Sequence, residues 1–137
     1  MREACGRSSA RLAEGIRLFN LGNFFQAHEA WEQAWKRAEG EEKTFYQGLI
    51  QAAVALCHIQ RGNYAGGVSV YLKSWPKLAQ FSPVWMGIEL GQFRSELIRY
   101  FAPLRASSKA RCGNRRLAEP GQIAVTAQPP IIRWAPT

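Results

Sequence analysis

Leu21-Gly22-Asn23-Phe24, followed by Ala27, Trp31 and Trp35, recurs forty residues later as Arg61-Gly62-Asn63-Tyr64, followed by Gly67, Tyr71 and Trp75. A repeat at this spacing marks two helical hairpins of one design. In each, a Gly-Asn pair, Gly22 with Asn23 and Gly62 with Asn63, makes the turn, because glycine takes the positive φ that other residues resist. An aromatic residue follows to pack under the turn. A small residue, Ala27 or Gly67, then lets the helices approach closely.

On both sides of these turns, apolar residues return at helical spacing. Ser8-Ser9 reads as an N-cap, and Leu12, Ile16 and Phe19 predict a first helix of about 12 residues. Phe24, Ala27, Trp31 and Ala34 form the apolar stripe of a second helix, which stops near Gly40. A third starts at Glu41-Glu42, acidic residues suited to the positive end of a helix, and runs to about Arg61. It is apolar on nearly every side: Phe45, Leu49, Ala52, Leu56 and Ile59 lie on one stripe, and Tyr46, Ile50, Ala53 and Cys57 on the next. Such a helix belongs in the middle of a bundle. Val68, Tyr71, Leu72 and Trp75 mark a fourth helix, interrupted by Pro76. Ser82-Pro83 reads as an N-cap and N1 proline for a last helix carrying Ile88, Leu90, Phe93, Leu97, Ile98 and Phe101 and ending before Pro103. The expected fold is therefore all-α: a compact bundle of about five helices over residues 8–104. Its two hairpins resemble tetratricopeptide hairpins, although the offset of forty departs from that family's period of about 34. Beyond Leu104 the apolar period disappears, and four of the seven prolines lie there. Residues 105–137 are expected to form a basic, irregular, poorly ordered tail, in which Ile131, Ile132 and Trp134 offer a cluster able to dock on the bundle.

Bulk properties narrow the function. A chain of 137 residues suits one domain with a single core. No run of about 18 apolar residues exists to span a membrane; the quietest stretch, Gly48 to Ile59, is broken by Gln51 and His58. Arg2, Glu3, Arg7 and Arg11 leave no apolar block for a signal peptide. Cys5, Cys57 and Cys112 are odd in number and widely spaced, as expected of free thiols, with Cys57 in the core. Together these features predict a cytoplasmic protein that does not engage a membrane. The net charge of +8 sits mostly in the tail: up to Leu104 there are 12 Lys/Arg against 9 Glu, and from Arg105 onward 6 against 1. Lys109, Arg111, Arg115 and Arg116 supply a weak, sequence-independent argument for nucleic acid. A solvated basic tail explains them more simply.

Polar groups on apolar helix faces are where chemistry can be sought, because burying them unpaired costs a few kcal/mol each. On the second helix His28 and Glu32 share a face, with Phe25 and Trp35 alongside and Glu29 one position round. On the third helix Gln47, Gln51 and His58 fall within about 40° of one another at 100° per residue. If the two helices pack antiparallel, an imidazole, a carboxylate and two amides converge. That convergence describes either a polar pocket, with Glu32 or Glu29 orienting His28, or a closed hydrogen-bond network that fixes helix register. No metal is expected. His28-Glu29-Ala30-Trp31-Glu32 resembles H-E-x-x-H only until its last residue, the chain has two histidines, and aspartate is absent. The chain has no G-x-S-x-G elbow, P-loop or G-x-G-x-x-G fingerprint, so no cofactor is expected and no catalytic residue is assigned. Trp31, Trp35, Trp75 and Trp85 at helical spacing read as core; if exposed, they would line a groove for a partner.

The run Phe19-Asn20-x-Gly22-x-Phe24-Phe25-x-Ala27-His28-Glu29-x-x-Glu32-x-x-Trp35 is followed by Gln47-Gly48-Leu49-Ile50-Gln51 with Ala53, Ala55 and His58, then by Arg61-Gly62-Asn63. Over about residues 12–101 this pattern resembles the helical family catalogued as domain of unknown function 309. The resemblance implies a compact helical bundle with no established activity. It also raises His28, Glu29, Glu32, Trp35, Gln47, Gln51 and His58 as site candidates without assigning their roles. Gly67, where that family more often has alanine, Pro76 and the tail depart from the pattern. The function expected first is a non-catalytic module that binds an unknown protein or peptide, with a homodimer as a further option. The alternative is a small enzyme or ligand-binding protein built around the His/Glu/Gln pocket.

Overall fold

The computed structural model describes residues 2–110 and 128–136, with side chains placed for 10–106 and 128–136. Five helices dominate: α1 (Arg2–Asn20), α2 (Phe24–Arg37), α3 (Gly40–Gln60), α4 (Tyr64–Ala79) and α5 (Leu90–Ala110), with a small hairpin of β1 (Val84–Trp85) and β2 (Ile88–Glu89) before α5. Each of α1 to α4 packs on its successor, and α5 closes against α4. The fold is all-α, as the apolar periods predict.

The repeat is visible as backbone geometry. Gly22 has φ +88° and Gly62 φ +82°. The Asn23 amide donates to the Leu18 carbonyl (2.9 Å) and Gly22 to Phe19 (2.9 Å); in the second hairpin Asn63 donates to His58 (2.9 Å) and Gly62 to Ile59 (3.0 Å). These are the two bonds of a Schellman cap, which uses a left-handed residue to satisfy the last helical carbonyls. Each asparagine then starts the next helix, its carbonyl accepting from Ala27 or Gly67. Only Asn63 also caps with its side chain, accepting from the Gly66 amide at 3.1 Å.

α3 is central because it is apolar on most sides: Phe45, Tyr46, Leu49, Ala52, Ala53, Ala55 and Leu56 are all at most 1% exposed. On one flank Trp31 is fully buried, its indole N–H donating to the Leu12 carbonyl at 3.2 Å. On the other, Tyr71 stacks on Phe101 with ring centres 4.3 Å apart.

Several boundaries differ from the sequence expectation. α1 begins at Arg2 and runs through Ser8-Ser9, because the preceding residues include good helix formers and no proline. α4 continues past Pro76 to Ala79. Pro76 lies on the exposed side, where a missing backbone bond costs least, and buried Leu78 anchors the turn beyond it. α5 likewise passes through Pro103, with Leu104 held in the core. Ser82-Pro83 does not start a helix. The Ser82 hydroxyl donates to the Val84 carbonyl, and Met86 (φ +52°) and Gly87 (φ +81°) form the two-residue turn of the hairpin, with Trp85 opposite Ile88. Positive φ at both central positions is the type I′ condition, which matches strand twist.

Residues 131–135 dock on this hairpin. Glu89 donates to the Arg133 carbonyl and Ala135 to the Gly87 carbonyl, both at 2.8 Å, while the Asn20 amide exchanges two 2.9 Å bonds with the Ile132 backbone. Ile132 is 1% exposed. The Glu96 carboxylate accepts from the Ile131 amide (2.9 Å), Gln92 (2.9 Å) and Arg133 (2.6 Å). Burial raises the Glu96 pKa, but these hydrogen bonds and the Arg133 charge outweigh it and hold the carboxyl below its ordinary value of 4.5. A carboxyl depressed in the fold stabilises it above the unfolded value, and that contribution is lost as pH falls through the folded value. Exchange protection of the Ile131 amide is therefore expected to be constant from pH 7 down to about 5 and to fall below the ordinary carboxylate value. Protection that persists unchanged in acid would contradict this role for Glu96. Of the expected basic cluster, Lys109 lies in the last turn of α5 with its side chain outside the described ones, and Arg111, Arg115 and Arg116, with the tail over 111–127, lie outside the described residues.

No helix among the described residues is long and apolar enough to cross a membrane.

Candidate functional site

Phe25 and His28 of α2 face Val54, Cys57, His58 and Arg61, the last lying just beyond α3, across a cleft of about 180 Å³. On α3, positions 54, 57, 58 and 61 share a face by helical spacing, so one surface of the helix supplies four of the six lining residues. The cleft stands beside the first turn, where the Gln60 amide donates to the Gly22 carbonyl at 2.9 Å and ties the end of α3 to the start of α2. Phe25 is 51% exposed, and its ring centre lies 5.0 Å from that of His28.

Hydrogen bonding defines both imidazoles. His28 Nδ1 is 2.6 Å from the Phe25 carbonyl oxygen, which can only accept, so Nδ1 carries a proton and the neutral ring has its lone pair at Nε2. That Nε2 lies 3.7 Å from a Glu32 carboxylate oxygen. His58 is the converse case. Asn63 Oδ1 accepts from Gly66, which leaves the Asn63 amide nitrogen facing His58 Nδ1 at 3.1 Å as a donor. His58 Nδ1 therefore accepts, and the ring N–H of the neutral form sits at Nε2. One imidazole offers an acceptor and the other a donor. Arg61 is exposed and forms no ion pair among the described residues.

The seven candidates from sequence divide among several places. His28 and His58 meet at the cleft, with Glu32 at its edge. Glu29 is exposed and shares with Glu32 the shallow groove between α1 and α2, which Arg11 and Gln26 also line. Trp35 is half-buried under Lys43, whose ammonium lies 4.0 Å from the ring centre and donates to the Trp35 carbonyl. Gln47 and Gln51 do not line the cleft. The Oε1 atom of Gln51 is buried without a hydrogen-bond partner among the described residues. Phe25, Val54, Cys57 and Arg61 were not among the seven. Cys57, expected in the core, is half-buried at the cleft instead. Among the described residues no three His, Cys or Glu side chains stand close enough together to hold a metal ion.

Residues 12–70 match the family described as Domain of unknown function (DUF309). An uncharacterized protein of Aquifex aeolicus (strain VF5) is 36% identical over 92 residues, which is 66% of this chain and 28% of that protein. The chain thus spans little more than a quarter of the length of the curated relative it matches. The matched residues 12–70 contain α2, α3 and every residue lining the cleft, so the cleft lies within the stretch that is similar to the family described as Domain of unknown function (DUF309).

Proposed function

We propose that this domain is a non-catalytic module that binds a peptide segment of a partner protein in the cleft between α2 and α3. The observation that carries this is the combination of an exposed aromatic, Phe25, with a half-apolar cleft whose two imidazoles are each anchored through Nδ1 to a neighbour on their own side. Anchored rings provide fixed hydrogen-bonding points at low entropic cost, which favours recognition. Nucleophilic chemistry would need the Cys57 thiol within hydrogen-bonding reach of a base. Among the described residues Cys57 has no hydrogen bond to either histidine.

Selection from a displayed library of random peptides, with both free and blocked C-termini, tests this. An enriched consensus is expected that binds wild type and binds Phe25→Ala about tenfold more weakly, with thermal stability nearly unchanged because half of that ring already faces solvent. Failure to enrich any sequence, together with His28-dependent turnover of any ester, amide or phosphate substrate in a panel, would replace this account with an enzymatic one. A second copy of the chain is another partner compatible with the surface: exposed Leu72 and Ile98 border a groove of about 220 Å³ floored by Tyr71 and Trp75.

A further inference from the structure

The cleft is chemically polarised. Arg61, whose guanidinium forms no ion pair among the described residues, and His58, with N–H at Nε2 in its neutral form, place donors at the end nearest the Gly62 turn. In the neutral ring His28 Nε2 is an acceptor, and Glu32, which lines the neighbouring groove between α1 and α2, has a carboxylate oxygen 3.7 Å from it. Phe25, Val54 and Cys57 supply apolar wall between them. Among the described residues no carboxylate lines the cleft.

Size restricts what can satisfy all three features together. One water needs about 10–15 Å³ of cleft space, so a cleft of about 180 Å³ has room for a group the size of one side chain with its carboxylate. An acidic side chain would fill the apolar wall with its own polar backbone. An apolar residue at the end of a chain carries everything needed: a carboxylate for Arg61 and His58, an amide N–H for His28, and an aliphatic body for Phe25, Val54 and Cys57.

We propose that the cleft captures the C-terminal residue of a partner polypeptide, an apolar residue held by its free carboxylate. This rests on the peptide-binding reading above and narrows it to one class of peptide.

The test is a titration of the isotopically labelled full-length chain, followed by amide and imidazole NMR shifts, with three probes. These are an acetylated hexapeptide of glycine, serine and alanine ending in leucine as the free acid, the same peptide as its C-terminal amide, and isovalerate. The free acid is expected to shift the His58 ring and the amides of residues 54–61, and to bind at least about tenfold more tightly than the amide, since a charge-assisted hydrogen bond is lost. Arg61→Gln, at an exposed position, is expected to produce a similar loss while leaving the spectrum of the folded chain intact. Equal binding of acid and amide would overturn the carboxylate proposal and leave peptide binding standing. Isovalerate binding as tightly as the peptide would overturn a chain end as the source and make the ligand a small free acid. Absence of shifts with all three would overturn the proposal, while the library selection, which includes internal sequences, would still judge the broader reading.

Discussion

Replacing Trp31 with alanine is expected to destabilise the domain by about 3–5 kcal/mol, the range for truncating a large aromatic in a closed core. Trp31 is fully buried, its ring lies 5.8 Å from that of Phe19, and its N–H satisfies the Leu12 carbonyl. α1 approaches so closely that a Cβ on Gly15 would lie 2.1 Å from the indole nitrogen. The side chain therefore joins α1 to α2, and its removal leaves a cavity that two rigid helices cannot collapse into. Urea denaturation checks this: the midpoint should fall with little change in slope. A loss below about 1 kcal/mol would mean the α1/α2 contact is held by something else.

Gly67→Val is expected to cost about 3 kcal/mol, at the upper end of overpacking penalties. A Cβ at this position would lie 2.6 Å from Ile59 Cδ1 and 2.9 Å from the Ala55 carbonyl oxygen. The isoleucine tip can rotate away, but the carbonyl belongs to α3 and moves only with the helix. The repeat places Ala27 at the matching position of the first hairpin, where a methyl group is already buried. The second hairpin is thus the tighter of the two, which gives a physical reason for glycine at position 67. Thermal unfolding of the variant checks the prediction, and a melting temperature within a degree or two of wild type would contradict it.

Much of this architecture is legible in the residues themselves. The repeated Gly-Asn pairs announce two Schellman turns, and the all-round apolar pattern of residues 45–59 announces a central helix. What escapes is set by tertiary context. The 84–89 hairpin requires positive φ at Met86, a residue with no intrinsic preference for it. α4 survives Pro76 because Leu78 is fully buried two residues on, which no local propensity reveals. The docking of residues 131–135 depends on Asn20 and Glu96, whose partners lie far off in the chain.

The candidate site is legible only in part, for a geometric reason. Placing Gln47, Gln51 and His58 on one stripe uses the angle around the helix and omits the rise along it. At 1.5 Å per residue, Gln47 stands about 16 Å and Gln51 about 10 Å from the level of His58, too far to share one small cleft. The residues that share it with the histidines on that side, Val54, Cys57 and Arg61, carry no signal of a site in sequence: Val54 is one more apolar residue of an apolar helix, Cys57 reads as core and Arg61 as part of a turn. His28 and His58 stand out because they are polar on apolar faces, and these two meet.

The proposed role, binding a peptide in the cleft without transforming it, can be tested by incubating wild-type protein with a peptide that it binds, measuring the Kd, and then weighing the recovered peptide by mass spectrometry. Saturable binding that weakens in Phe25→Ala and Arg61→Gln, with the peptide recovered intact, is the predicted result. A shortened or modified peptide whose appearance depends on His28 would contradict the account.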